Sequence, residues 1–276
     1  MLAAGLITFR EGLEAALIMG IVLGYLKKAG HPEQKGIVWR AATAAVLLSV
    51  LAALGLQWVG AEFEGRGEQI FEGVVMFLAA GLLTYMILWM RGQGQQVKLQ
   101  LEEETRQALN VGQSWALFTL AFLAVLREGI ETALFLSAAA FSSSPVQTLI
   151  GGLLGLAAAV VLAWLVFKAS TRLDLRQFFS VTSLILIVFA AGLVARGVHE
   201  FQEAGLLPVV VEQVWDTNPI LSEESFGGEV LQSLFGYNGN PSLLEVLSYV
   251  GYLLVAFWLV WLKRTPSPPD AHAGVS

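Results

Sequence analysis

Apolar runs of bilayer length recur along the chain, each closed by a short polar segment. Seven stretches, near residues 2–26, 37–60, 68–90, 114–140, 146–168, 178–205 and 242–262, reach the ~20 residues with which a helix rising ~1.5 Å per residue crosses ~30 Å of hydrocarbon. The pattern predicts an all-α, polytopic membrane protein with seven transmembrane helices. The polar linkers add detail. Residues 97–109 set Leu101, Thr105, Ala108 and Leu109 on one helical face beside Glu102, Glu103 and Glu104, which predicts a short amphipathic helix at the membrane surface. Residues 206–241 carry Glu212, Asp216, Glu223, Glu224 and Glu229, no Lys or Arg, and a set of apolar residues that includes Trp215, Leu221, Phe226, Leu231, Leu234, Phe235 and Tyr237. That mixture predicts a folded acidic cap rather than a tether. The Pro- and Ser-rich tail, 265–276, is expected to be disordered.

Basic residues fall in alternate linkers. Lys27, Lys28, Lys35 and Arg40 follow the first helix; Arg91, Lys98 and Arg106 follow the third; Lys168, Arg172 and Arg176 follow the fifth; Lys263 and Arg264 follow the last. The other linkers hold only Arg66. By the positive-inside rule the N-terminus is outside and the C-terminus cytoplasmic. Trp58, Trp89, Trp164 and Trp261 are expected to anchor the interfaces.

Composition agrees with the pattern and narrows the chemistry. Of 276 residues, 56% are hydrophobic and 14% charged, whereas a soluble domain has about 25% charged residues. The first helix starts without a basic leader and contains Arg10, Glu11 and Glu14, so it reads as a retained helix and not a cleaved signal. There is no cysteine, which excludes disulfides, iron–sulfur clusters and thiolate metal sites. The net charge of −6 argues against nucleic acid as a partner.

One charged motif occurs twice inside these apolar helices. Arg10-Glu11-Gly12-Leu13-Glu14-Ala15-Ala16-Leu17 and Arg127-Glu128-Gly129-Ile130-Glu131-Thr132-Ala133-Leu134 share six of eight positions, 117 residues apart. An ionisable residue at the bilayer centre costs at least ~2.5 kcal/mol, so six of them in a repeated pattern point to function. Residues three and four apart share a helical face, so Glu11 sits with Glu14 and Glu128 with Glu131, while Arg10 reaches Glu14 and Arg127 reaches Glu131. A salt-bridged packing element needs one Glu per Arg, and each motif has two. Four carboxylates facing one another repel unless a cation joins them, and an oxygen-only site suits hard metals. Gly12 and Gly129 allow close approach. A ferritin-like dimetal centre ranks lower, because neither motif contains the Glu-x-x-His element.

The repeat extends to organisation. Ala79-Ala80-Gly81-Leu82 in the third helix recurs as Ala190-Ala191-Gly192-Leu193 in the sixth. Helix one then pairs with helix four and helix three with helix six, in opposite directions: an inverted 3+3 repeat, which places a substrate site at the midplane. The permease domain spans 1–264, with repeat one at 1–91, repeat two at 114–205, the acidic cap at 206–241 and helix seven at 242–262. A second acidic set, Glu68 and Glu72 with His199, Glu200 and Glu203, lies at the outer ends of helices three and six and suits an outer vestibule that gathers cations. The alternative is ordinary polar helix ends, although Glu200 and Glu203 lie where the helix dipole disfavours them. Arg196 is expected to pair with Glu200, and Glu245 to stand alone at the interface.

These motifs resemble those of the oxidase-dependent iron permease family, which includes the fungal high-affinity iron permease and the bacterial permease EfeU. The resemblance also takes in Glu72-Gly73, Gly197-Val198-His199-Glu200, and the stretch from Trp215-Asp216 through Gly236-Tyr237 to Pro241-Ser242. The chain resembles the EfeU-like branch, which lacks a long N-terminal extracytoplasmic domain. The resemblance implies high-affinity iron uptake across a bacterial inner membrane, with iron as the transported substrate and no permanently bound cofactor. It implies an extracytoplasmic oxidase or delivery protein as partner, and it assigns Glu11, Glu14, Glu128 and Glu131 to iron. Other readings are a permease for lead or manganese, a non-transporting subunit that scaffolds an oxidase, and a membrane enzyme. No His-Glu-x-x-His, Gly-x-Ser-x-Gly or nucleotide-binding loop supports an enzyme or direct use of ATP.

Overall fold

The computed structural model describes residues 1–90, 96–110, 114–141, 144–169, 175–223 and 225–262. The tail 265–276 and the basic linker residues Arg91, Arg172, Lys263 and Arg264 lie outside them. Among the described residues the chain forms α1 (Leu2–Lys28), a 3-10 turn (Pro32–Gln34), α2 (Lys35–Ala61), α3 (Arg66–Met90), α4 (Gln96–Asn110), α5 (Ser114–Phe141), α6 (Pro145–Ala169), α7 (Leu175–Glu203), α8 (Phe226–Phe235) and α9 (Leu243–Leu262), with no strand. Each of the seven expected apolar stretches is helical. Five of them, in α2, α3, α6, α7 and α9, are long and apolar enough to cross a membrane. The two motif helices are as long, at 27 and 28 residues, but each interrupts its apolar run with Arg, Glu and Glu. Large apolar side chains such as Leu51, Leu54, Leu153 and Leu254 are exposed, as are Trp58, Trp164 and Trp261, which a lipid environment requires. The chain is an integral membrane protein.

Contacts at one end of the bundle fix the direction of its helices. There the N-terminus meets Gly151 of α6, Phe71 of α3 stacks edge-on to Phe141 of α5, Gln69 of α3 bonds Glu203 of α7, and Ser242 before α9 bonds Gln202 of α7. The cap covers this end, so α1, α3, α6 and α9 run away from it while α2, α5 and α7 run towards it.

Packing is reciprocal. The main partner of α1 is α6 and the main partner of α5 is α2; α1 also packs on α5, and α3 on α7. Both crossings rely on small residues. A side chain at Gly12 would meet Ala159 and Leu156 of α6, and one at Gly129 would meet Ser49 of α2. On α3 and α7, Gly73 faces Phe201 and Gly197 faces Phe77, and the two rings stack 5.3 Å apart. Gly-Val-x-x-Phe therefore occurs at 73–77 and at 197–201, each copy filling the notch of the other. This is not the register suggested by Ala79–Leu82 and Ala190–Leu193. Gly81 has nothing near its Cα that a side chain would meet, whereas Gly192 is pressed against Gly236. The two alanine pairs of that match, Ala79-Ala80 and Ala190-Ala191, are all buried, so the two copies differ at their glycines.

The remaining segments fold as their patterning suggests. On α4, Leu101, Thr105 and Ala108 are buried, and the helix lies against α1 and α5 at the end opposite the cap. In the cap, Ser225 Oγ accepts from Gly228 N at the start of α8, and Gly236 closes the helix at φ +66°, a conformation open to glycine. Around it, Gly239 N donates to Glu223 Oε1 at 2.6 Å and Tyr237 Oη donates to Leu221 O at 2.9 Å. The result is a folded lid, with α8 laid against α1 and α7.

Candidate metal-binding site

α1 and α5 cross with their motifs facing. Glu11, Glu128 and Glu131 are all buried, and each offers a carboxylate oxygen within 4.8 Å of the others. Oxygens at that spacing can share one hard cation at bond lengths of about 2.0–2.6 Å. The helical arrangement follows from the sequence: a three-residue step keeps Glu128 and Glu131 on one face, and the small residues behind the motif let α2 and α6 press both helices inward.

The arginines divide the carboxylates. Arg10 Nε lies 3.1 Å from Glu14 Oε1, and Arg10 Nη1 is 3.9 Å from Glu11 Oε1. Arg127 Nε donates to Glu131 Oε1 at 3.0 Å. Both expected i,i+4 pairs are present. They leave a surplus of carboxylate, because neither oxygen of Glu11, nor Oε2 of Glu131, meets a hydrogen-bond donor among the described residues. Buried carboxylate oxygens without donors are rare, and they mark a place where a cation or a proton belongs. Glu14 is outside the group of three; its charge is turned towards Arg10.

The two motifs differ in their surroundings. Arg10 is 0% exposed, whereas the side chain of Arg127 is 45% exposed and lies 5.0 Å from the ring centre of Trp89, a cation–π contact. Glu14, at 15%, is the one partly open carboxylate of the four.

The second acidic set is also brought together. Glu72 feels the charges of Glu68, Glu200, Glu203 and Arg196, and Gln69 Nε2 donates to Glu203 Oε2 at 3.0 Å. No ion pair joins Arg196 to Glu200 among the described residues. Arg196 instead lines a cavity of about 630 Å³ between α7, α9 and the cap, with His199, Trp215, Tyr237 and Glu245. His199 stands 3.2 Å from Glu203 through Nε2 and 3.1 Å from Glu245 through Nδ1. Glu245, expected to stand alone, is buried; it accepts from Asn238 Nδ2 at 2.7 Å and Ser242 N at 3.1 Å. Only Ser242, three residues earlier at the helix start, hints at this role in the sequence.

Comparison with known proteins agrees with the geometry. The model of the iron permease FTR1 family matches residues 1–265. The chain is 37% identical to the ferrous iron permease EfeU of Yersinia pestis over 271 residues, covering 98% of this chain and 94% of that protein. It is 38% identical to the ferrous iron permease EfeU of Escherichia coli O157:H7 over 276 residues, covering 98% of this chain and 97% of that protein. No solved structure matches the chain. With its two facing carboxylate motifs and this match along nearly its whole length, the chain belongs to the iron permease FTR1 family and is a membrane transporter rather than an enzyme.

Proposed function

We propose that the chain takes up iron through a midplane site built from Glu11, Glu14, Glu128 and Glu131. The observation that carries this reading is the convergence of three buried carboxylates from two copies of one motif, with more oxygens than the two arginines engage. An oxygen-only, net-negative site binds a hard cation in place of its hydration shell. The arginines hold Glu14 and Glu131 in place and limit the local charge. The similarity to ferrous iron permeases favours iron over manganese or lead as cargo.

The architecture we propose has seven crossings, α1 to α3, α5 to α7 and α9, with α4 at the cytoplasmic surface and the cap outside. The reciprocal packing of α1 on α6 and α5 on α2, and the paired Gly-Val-x-x-Phe notches, support an inverted 3+3 repeat with α9 added. Lys27, Lys28, Lys35 and Arg40 at the end opposite the cap support a cytoplasmic assignment there and an N-terminus outside, in a bacterial inner membrane. Glu68, Glu72, Glu200 and Glu203, with His199, form the outer vestibule, where their summed charge concentrates cations. The kinship with oxidase-dependent permeases supports a separate extracytoplasmic oxidase as partner.

Uptake of radio-iron by cells lacking other iron importers tests the site. Glu11→Gln and Glu131→Gln are expected to abolish uptake while the protein stays in the membrane. Undiminished uptake in both variants would overturn the proposal, and loss of uptake with retained oxidase assembly would exclude a pure scaffold.

A further inference from the structure

Between the vestibule and the metal site lies a largely apolar layer, where the buried hydroxyl of Thr8 turns back onto its own helix, 2.9 Å from Ala4 O. Ile7 is one helical turn from Glu11 on the cap side, Phe135 one turn from Glu131 on the same side, and Met76 one turn below Glu72. All three are completely buried, and they belong to one continuous apolar cluster with Ala3, Ala79 and Ala138. Each is four residues from an acidic neighbour, so it lies about 6 Å along its own helix from a carboxylate-bearing position.

The opposite side of the site differs. Glu14 lies deeper along α1 than Glu11, and Arg127 precedes Glu128 on α5, so both are on the side away from the cap. They are also the partly open members of the two motifs. A charged group at this depth faces protein or water and not hydrocarbon, so its exposed atoms mark an aqueous approach.

We infer that Ile7, Met76 and Phe135 form the outer gate of the transport path, shut in this structure, while the metal site communicates with the cytoplasmic side past Glu14 and Arg127. An apolar constriction gates by excluding water, and an ion entering it loses more hydration than the few hydroxyls there can replace. The buried methyl, thioether and phenyl groups therefore separate two acidic regions that would otherwise form one continuous cation path. Phe135 is the principal element, being the largest of the three and on the same helix as Glu128 and Glu131. The inference rests on the proposed transport function for its direction, though not for its test.

The chain contains no cysteine, so a single introduced thiol reports without background. Ile18→Cys, one helical turn beyond Glu14 on the same face of α1 and outside the proposed site, serves as a position reporter, probed with a membrane-impermeant thiol reagent in right-side-out and inside-out vesicles. Labelling is expected to be fast from the cytoplasmic side and slow from the outside. Adding Phe135→Ala is expected to raise the outer rate to the cytoplasmic one, and Phe135→Leu to leave it slow. An unchanged cytoplasmic rate shows that the variant is folded; if Phe135→Ala does not fold, Ile7→Ala replaces it. Fast outer labelling with the gate intact, or outer protection that survives both alanine variants, would overturn the gate. Because the readout involves no iron, its failure is distinct from failure of the glutamate variants to lose uptake.

Discussion

Gly73 on α3 and Gly197 on α7 form a matched pair: a side chain built on Gly73 would strike Phe201, and one built on Gly197 would strike Phe77. Each phenylalanine lies four residues beyond its own glycine, and the antiparallel helices exchange them. The crossing holds the helices that carry the outer acidic residues at a fixed spacing.

Enlarging either glycine should be costly. A Cβ at Gly73 would lie 2.5 Å from the Phe201 ring, and overpacking of this kind costs typically about 1–3 kcal/mol. Gly73→Leu is expected to lower the thermal midpoint in detergent. Gly73→Ala is expected to be milder, and Phe201→Leu to restore part of its loss. Equal stability of wild type and Gly73→Leu would contradict the packing.

The two motif arginines should not be equivalent. Arg10 is enclosed on all sides, and breaking a buried ion pair costs about 3–5 kcal/mol because the surviving charge is stranded. Arg127 is half exposed, so its own charge is partly solvated, although its partner Glu131 is buried and loses its counter-charge when Arg127 is removed. Arg10→Gln is therefore expected to reduce folded yield more than Arg127→Gln, measured by size-exclusion chromatography of solubilised protein. The reverse order would mean that the burial difference is wrong.

Glu245 should hold the cap down. It is buried and accepts from Asn238, Ser242 and His199, joining cap, α9 and α7. Removing the carboxylate leaves those donors unsatisfied, at about 1–3 kcal/mol. Glu245→Ala is expected to speed proteolysis within residues 206–241 without changing the melting of the helical bundle. Equal cleavage rates would remove Glu245 from this role.

Metal affinity should fall with pH. Carboxylates bind a metal in their deprotonated form, so protons compete with the ion, and acidification weakens binding while metal binding releases protons. Titration calorimetry in buffers of different ionisation enthalpy is expected to show that release. Glu11→Gln is expected to release fewer protons and to bind less tightly. Binding with no proton release would argue that the site is not built of these carboxylates.

Much of this was legible in the sequence because the physics is local. Helix length follows from apolar runs, and the three- and four-residue steps of Arg10, Glu11 and Glu14 set their shared face before any fold is known. The duplicated motif identified its facing partner because six of its positions repeat. What escaped depends on contacts between distant segments. Glu245 is buried only because the folded cap, α7 and α9 close around it. The Gly-Val-x-x-Phe pair, 124 residues apart, is offset differently from the 117 of the Glu motifs, and its identities are three small or apolar residues in an apolar chain. The difference between Arg10 and Arg127 is absent from two nearly identical motifs; it arises from the neighbours that cover each helix. The gate residues look like any core Ile, Met and Phe until the acidic groups on either side are placed.

The most direct measurement is a crystal structure of the purified protein soaked with iron and recorded at the iron absorption edge. An anomalous peak is expected between α1 and α5, within about 2.0–2.6 Å of oxygens from Glu11, Glu128 and Glu131, and it is expected to vanish in Glu11→Gln. Iron bound only at Glu72, Glu200 and Glu203, with the space between the two motifs empty and uptake intact, would contradict a transport site at the motifs.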